Sequence, residues 1–203
     1  MFKNKIVLLA AVFVIAVFLV GCGGRSVKRL ETEKVIDISG RWNDTDSRLV
    51  SEEMIKDCLE RSWLNKFDEK NKKEPVVIVG TIINRSSEHI NSQLFTKDLE
   101  KAFINSAMVK IVASKQEREE VREERGAQQE GLTDEKTIKA FGLESGADFM
   151  LQGSINSVKD EIKGKYVILY QVNLELVDLT NNQKSWIGQR KIKKYVKQGK
   201  FSL

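Results

Sequence analysis

Apolar and polar residues recur with different periods along this chain, and those periods predict its elements. Ile6 to Val20 is an unbroken apolar run of 15 residues that follows Lys3 and Lys5 and ends at Gly21. A membrane-spanning helix needs ~20 such residues. Residues 1–21 therefore read as a cleaved signal peptide, with an anchoring helix as the alternative. Gly23 to Lys34 is glycine-rich and then charged, so residues 22–34 read as a short tether.

From Val35 the pattern changes. Val35, Ile36, Ile38 and Trp42 suit a short strand or an irregular arm. Asn43 to Ser47 are all good helix N-caps. Leu49, Val50, Met54, Ile55, Cys58, Leu59 and Trp63 then recur at helical spacing, which predicts one amphipathic helix to about Phe67. Val76 to Ile83 is a β-branched run and predicts a strand buried on both faces, central in a sheet. A second helix is expected over Ser92–Ser106, a short strand over Val109–Val112, and a charged helix over Ser114–Gln129. Asp134–Ser145 predicts a further short helix with Ile138, Phe141 and Leu143 facing inward.

The rest is β-rich. Ala147–Ile155 is one strand. Tyr166–Leu179 is another, in which Gln171, Asn173 and Glu175 alternate with Val172, Leu174 and Leu176. Period two means one wet face. Asp178–Gln183 supplies a turn, and Lys184–Lys194 returns as the last strand. The expected fold class is α/β: a single domain over residues 35–203, a mixed sheet flanked by helices, and an antiparallel C-terminal meander.

Composition narrows the function classes. The chain is 41% hydrophobic and 31% charged with both signs mixed, which excludes global disorder. The formal charge is +5, and loss of Lys3 and Lys5 with the leader takes it to +3. That is too little to draw the chain to nucleic acid. With one His and two Cys, zinc-finger spacing or a Cys–His pair has few residues to work with, and no metal or other cofactor is expected. GxxxxGKS, GxGxxG, HExxH and GxSxG are all absent, so no catalytic residue is assigned and the chain is not read as an enzyme. Glu119, Glu120, Glu123 and Glu124 alternate with Arg118, Arg122 and Arg125 as on a solvated, salt-bridged helix face. Cys58 falls on the apolar stripe as inert core, while His89 sits in a polar loop. The basic tail (Arg190, Lys191, Lys193, Lys194, Lys197, Lys200) reads either as a site for an anionic partner or cell-wall polymer, or as lysines guarding an exposed sheet edge.

Leu19-Val20-Gly21-Cys22 resembles the bacterial lipobox. The resemblance implies that Cys22 is acylated and becomes the first mature residue. Two or three acyl chains give stable membrane attachment at about 0.8 kcal/mol per buried CH2. Gly23, rather than an Asp that signals inner-membrane retention, favours the outer membrane. An acylated Cys22 also leaves Cys58 without a disulfide partner.

Asp37-Ile38-Ser39-Gly40-Arg41-Trp42-Asn43-Asp44-Thr45-Asp46-Ser47-Arg48-Leu49-Val50 resembles the LpoB family. So do the Cys22 lipobox, the Val76–Ile83 strand with Asn84 after it, the Ala147–Gly153 strand and the last hairpin with Trp186. The resemblance implies a fold like the TolB N-terminal domain. It also implies a monomeric outer-membrane lipoprotein facing the periplasm, which binds the non-catalytic regulatory domain of a class A penicillin-binding protein and stimulates peptidoglycan synthesis. A CsgG-like assembly or secretion lipoprotein is the alternative. Arg41, Trp42 and Arg48 are the candidate partner-binding residues, because Trp and Arg dominate interface hot spots; the alternative is that this stretch caps the first helix, with Trp42 as a staple. Enteric members carry a long tether where this chain has about a dozen residues, which reach at most roughly 40 Å.

Overall fold

A computed structural model describes residues 28–31, 34–139 and 144–197. The chain divides into two compact units, Met1–Lys34 and Val35–Leu203; the second holds all the elements below. In chain order these are α1 (Asp44–Leu59), α2 (Ser62–Asn71), β1 (Val76–Arg85), α3 (Ser92–Ser106), β2 (Lys110–Ile111), α4 (Lys115–Gln128), β3 (Phe149–Ile162), β4 (Lys165–Asp178) and β5 (Lys184–Lys197). The sheet order is β2-β1-β3-β4-β5. β1 runs parallel to β2 and β3, and β3, β4 and β5 form an antiparallel meander. The α/β class, the mixed sheet and the meander are as the sequence predicts.

One side of the sheet carries the core. Val77, Val79 and Ile82 of β1, Leu151 and Ile155 of β3, the Ile168–Leu176 alternation of β4, and Trp186 of β5 are buried. Against them pack α1, through Val50, Met54, Ile55 and Cys58, and α3, through Phe95, Leu99 and Phe103. Each of those fully buried large side chains contributes roughly 1.5–3 kcal/mol of transfer free energy. α4 buries none of its residues. It is tied down by ions instead, through Lys97–Glu117 and Arg122–Glu144.

Three expectations are corrected. The first helix is two, because the chain breaks at Glu60–Arg61, where Arg61 takes extended angles (φ −88°, ψ 156°). The break lets the Trp63 indole N–H donate to the Cys58 carbonyl at 2.7 Å, beside the Arg61 backbone N–H that donates to the same oxygen at 3.3 Å. Apolar spacing continues across the break, and no Gly or Pro marks it. Secondly, Val76 to Val79 are buried on both faces, but a register shift after Val79 leaves Ile83 45% exposed, and β1 lies second from the edge. Thirdly, Asp134–Thr137 forms a turn, and Ile138, Lys139, Glu144 and Ser145 are not helical; Phe141 and Leu143 lie outside the described residues. β3 also runs on to Ile162 and closes on β4 through Lys163-Gly164, with Gly164 at φ 75°.

Candidate functional site

The Gly40–Ser47 stretch sits where an arm of the domain, Val35–Asn43, crosses the end of the meander. The Tyr166 hydroxyl donates to the Ser39 carbonyl at 2.6 Å, and the Lys194 ammonium donates to the Arg41 carbonyl at 3.0 Å. Gly40 turns the arm at φ 69°, and a Cβ there would collide with Val196. Both the angle and the space demand glycine.

Trp42 follows. Its ring packs edge-on against Phe95 and Tyr170, with centroids 6.0 and 5.6 Å away. Its indole N–H donates to Ser47 Oγ at 2.8 Å. Its backbone N–H is shared between the Tyr170 hydroxyl at 3.0 Å and a Glu88 carboxylate oxygen at 3.2 Å. Burial, with the Glu88 carboxylate beside it, pushes the Tyr170 hydroxyl pKa well up, so it stays protonated. Asn43 then caps α1 in a reciprocal box: Asp46 N–H donates to Asn43 Oδ1 and Asn43 N–H donates to Asp46 Oδ2, both at 3.0 Å.

Lys194 locks the arm to the sheet. Its side chain is 9% exposed and lies 2.6 Å from Asp46 and 2.9 Å from Asp37. Burial alone would push its pKa down, but hydrogen bonds to the two carboxylates outweigh burial and hold it above the ordinary lysine value. Asn84 organises the facing loop: its amide donates to the Glu88 carbonyl at 2.8 Å, and Glu88 reaches Trp42.

The candidate residues thus take different places. Trp42 is half-buried and holds the arm. Arg41 is exposed beside it, and Arg48 is half-buried on the next turn, 3.5 Å from Glu52. Cys22 lies outside the described residues, as does Lys200 of the basic tail. Within that tail β5 is an edge strand, and its residues divide by parity. Arg190 faces α1 and pairs with Glu53 at 2.6 Å, and Lys194 turns inward; Lys191, Lys193 and Lys197 are exposed. Sequence reading missed Tyr170 and Glu88, and placed Lys194 only in the basic tail, not in the core-side ion pairs. The available signal for Lys194 was its even spacing from Trp186 and Ile192, which places all three on the core side.

A groove of about 330 Å³ runs between α1 and β5, floored by Trp186. Its carboxylates are each matched to a guanidinium, Glu53 to Arg190 and Asp57 to Arg61. Burial works against the Asp57 charge, but hydrogen bonds from Arg61 and Trp186 win and hold its pKa below the usual range. The Asp57 carboxyl is therefore not poised to take up or release a proton near neutrality. Cys58 is fully buried, and burial pushes its thiol up to about 12. Among the described residues no three His, Cys, Asp or Glu gather as metal ligands, and no helix is long and apolar enough to cross a membrane.

No curated protein matches the chain. Solved structures that resemble it include the LpoB C-terminal domain from Salmonella enterica, at 17% identity and TM-score 0.33, covering 65% of this chain and 98% of that one. The NMR structure of E. coli LpoB is 13% identical, at TM-score 0.39, covering 88% of this chain and 82% of that one. Lipoprotein GNA1162 from Neisseria meningitidis is 18% identical, at TM-score 0.39, over 60% of this chain and 83% of its own. The decisive match is in sequence: the family described as peptidoglycan-synthase activator LpoB matches residues 46–192, from the capping box of α1 through Trp186 and the greater part of β5. The chain belongs to the LpoB family of peptidoglycan-synthase activators.

Proposed function

We propose that this protein is a lipoprotein, acylated at Cys22 and held on the periplasmic side of the outer membrane, that binds a class A penicillin-binding protein and raises its rate of peptidoglycan synthesis. The observation that carries the reading is the family match across residues 46–192. The partner surface is the non-catalytic regulatory domain of the synthase, and one copy of this chain suffices. The chain performs no reaction itself: its one unacylated thiol is buried with a raised pKa, and its groove carboxylates are locked in ion pairs.

Arg41 and Arg48 are the proposed contacts. Trp42 supports them from within: with its ring in the core, the backbone on either side has a fixed exit, and Arg41 stands on it in solvent. A planar guanidinium on a rigid base loses little entropy when it meets a carboxylate.

The test is co-purification of the mature protein with penicillin-binding proteins from detergent-extracted membranes of its own organism. The native protein is expected to retain a class A synthase, and Arg41→Glu with Arg48→Glu to lose it while remaining folded. Retention of no synthase by the folded native protein refutes the activator reading, and a large ring in solution would favour an assembly role instead.

A further inference from the structure

The end of the meander where the arm docks combines two features that no part of the core requires. Val158 and Ile162 of β3 are each 69% exposed, and Tyr195 of β5 is 63% exposed. Lysines stand in two of their three cross-strand rows: Ile162 lies in the row of Lys165 and Lys197, and Val158 in the row that leads through Leu169 to Lys193, whereas Tyr195 shares its row with Val167 and Asp160. Lys163 occupies the turn itself, and all four of these lysines are exposed. The acids nearby are few. Glu161 is paired with Lys159 at 2.7 Å, and Asp160 stands alone against the four lysines. Exposed apolar side chains alternating with lysines at a strand end match a surface that is anionic outside and apolar just beneath.

The second feature is where the chain enters. Tyr166, two residues past the turn, holds Ser39, and Gly40 packs on Val196, so the arm meets the sheet at this same end. The arm brings its own exposed apolar residues, Val35 at 66% and Ile38 at 91%. Only twelve residues separate Cys22 from Val35, a span of at most roughly 40 Å.

We propose that the β3–β4 hairpin end, through Val158, Ile162, Tyr195 and the lysines at 163, 165, 193 and 197, rests on the anionic phospholipid surface to which the chain is anchored. An acidic protein would also suit the lysines. The bilayer is favoured because, on the reading that Cys22 is acylated, the short tether joins the domain through the arm that docks at this end. The patch then supplies a second, electrostatic hold beside the lipid. Each lysine near an anionic surface is worth roughly fivefold in partitioning, so four together amount to two or three orders of magnitude.

The experiment is lysine acetylation footprinting of the mature native chain in vesicles, read by mass spectrometry. Vesicles of phosphatidylcholine alone are compared with vesicles containing about one third phosphatidylglycerol. Lys163, Lys165, Lys193 and Lys197 are expected to react several-fold more slowly on the anionic vesicles, and Lys66 and Lys184 at the same rate on both. The difference should vanish at about 1 M salt, where screening acts within 3 Å. Ile162→Asp, a change at an exposed position, should weaken the protection. Equal rates on both kinds of vesicle overturn the proposal. So does protection that appears only when a penicillin-binding protein is added, which would assign the patch to a protein partner. The intact mass reports Cys22 separately: a chain without lipid refutes the anchor, while its footprint on added vesicles still reads the patch.

Discussion

Lys194→Met is the substitution that tests the arm most sharply. Methionine fills nearly the same volume and removes the charge, leaving Asp46 and Asp37 facing an apolar side chain. The two losses differ. The Asp37 side chain is 39% exposed and recovers hydration, so its share is small. The Asp46 side chain is 11% exposed and keeps only the Asn43 N–H. Removing one partner from a buried ion pair costs 3–5 kcal/mol. The positive end of α1 returns about 0.3–1 of that to a carboxylate in its first turn. The expected destabilisation is about 2–4 kcal/mol, measured as a lower urea midpoint with unchanged slope. Lys193→Met, one residue along on the opposite face, should fall within about 0.5 kcal/mol of the native protein. A double-mutant cycle of Lys194→Met with Asp46→Asn should show coupling above about 1 kcal/mol. The pH dependence has a definite sign. The Lys194 pKa is raised in the folded state, so its contribution is complete below the unfolded lysine value near 10.4 and fades as pH rises through the higher folded value. A Lys194→Met protein as stable as the Lys193→Met control would refute this account of the arm.

Three further outcomes are expected. Cys58, buried and raised to about 12, should resist thiol reagents in the folded protein and react once in denaturant; stoichiometric reaction in the folded state would contradict its place in the core. Glu117 is held down to about 2 by Lys97 first and then by Ser114, so the anchorage of α4 is complete above the ordinary value of 4.5 and is lost as pH falls through about 2. An NMR titration of Glu117 with its midpoint near 4.5 would contradict that. At Gly153 an added Cβ would strike the backbone carbonyl of Asn173 on the neighbouring strand, so Gly153→Ala should cost about 1–3 kcal/mol in urea denaturation, and a cost near zero would show that β3 and β4 are not so closely paired.

The sheet was legible because period-two alternation in β4 and the β-branched run in β1 are local signals of burial. Helix ends were legible where capping chemistry marks them: Asn43 and Ser114 each open a reciprocal box. The break at Glu60–Arg61 was not, because Trp63 continues the apolar spacing, and the contact that stabilises the break is a side-chain hydrogen bond from Trp63 to Cys58. The site was half legible. Its residues from Gly40 to Ser47 stand out in the sequence, but their partners Glu88, Tyr166, Tyr170 and Lys194 come from elements 46 to 153 positions away. Trp42 illustrates the consequence: its type suits an interface anchor, and only the positions of Phe95 and Tyr170 reveal that the ring is spent on the core.

The most direct measurement is the rate of glycan polymerisation by a purified class A penicillin-binding protein of the same organism, with and without the mature native protein. The account expects the rate to rise saturably with added protein, and the Arg41→Glu, Arg48→Glu variant to require a much higher concentration for the same effect. An unchanged rate at saturating, folded protein, with no binding detected between the two, would contradict it.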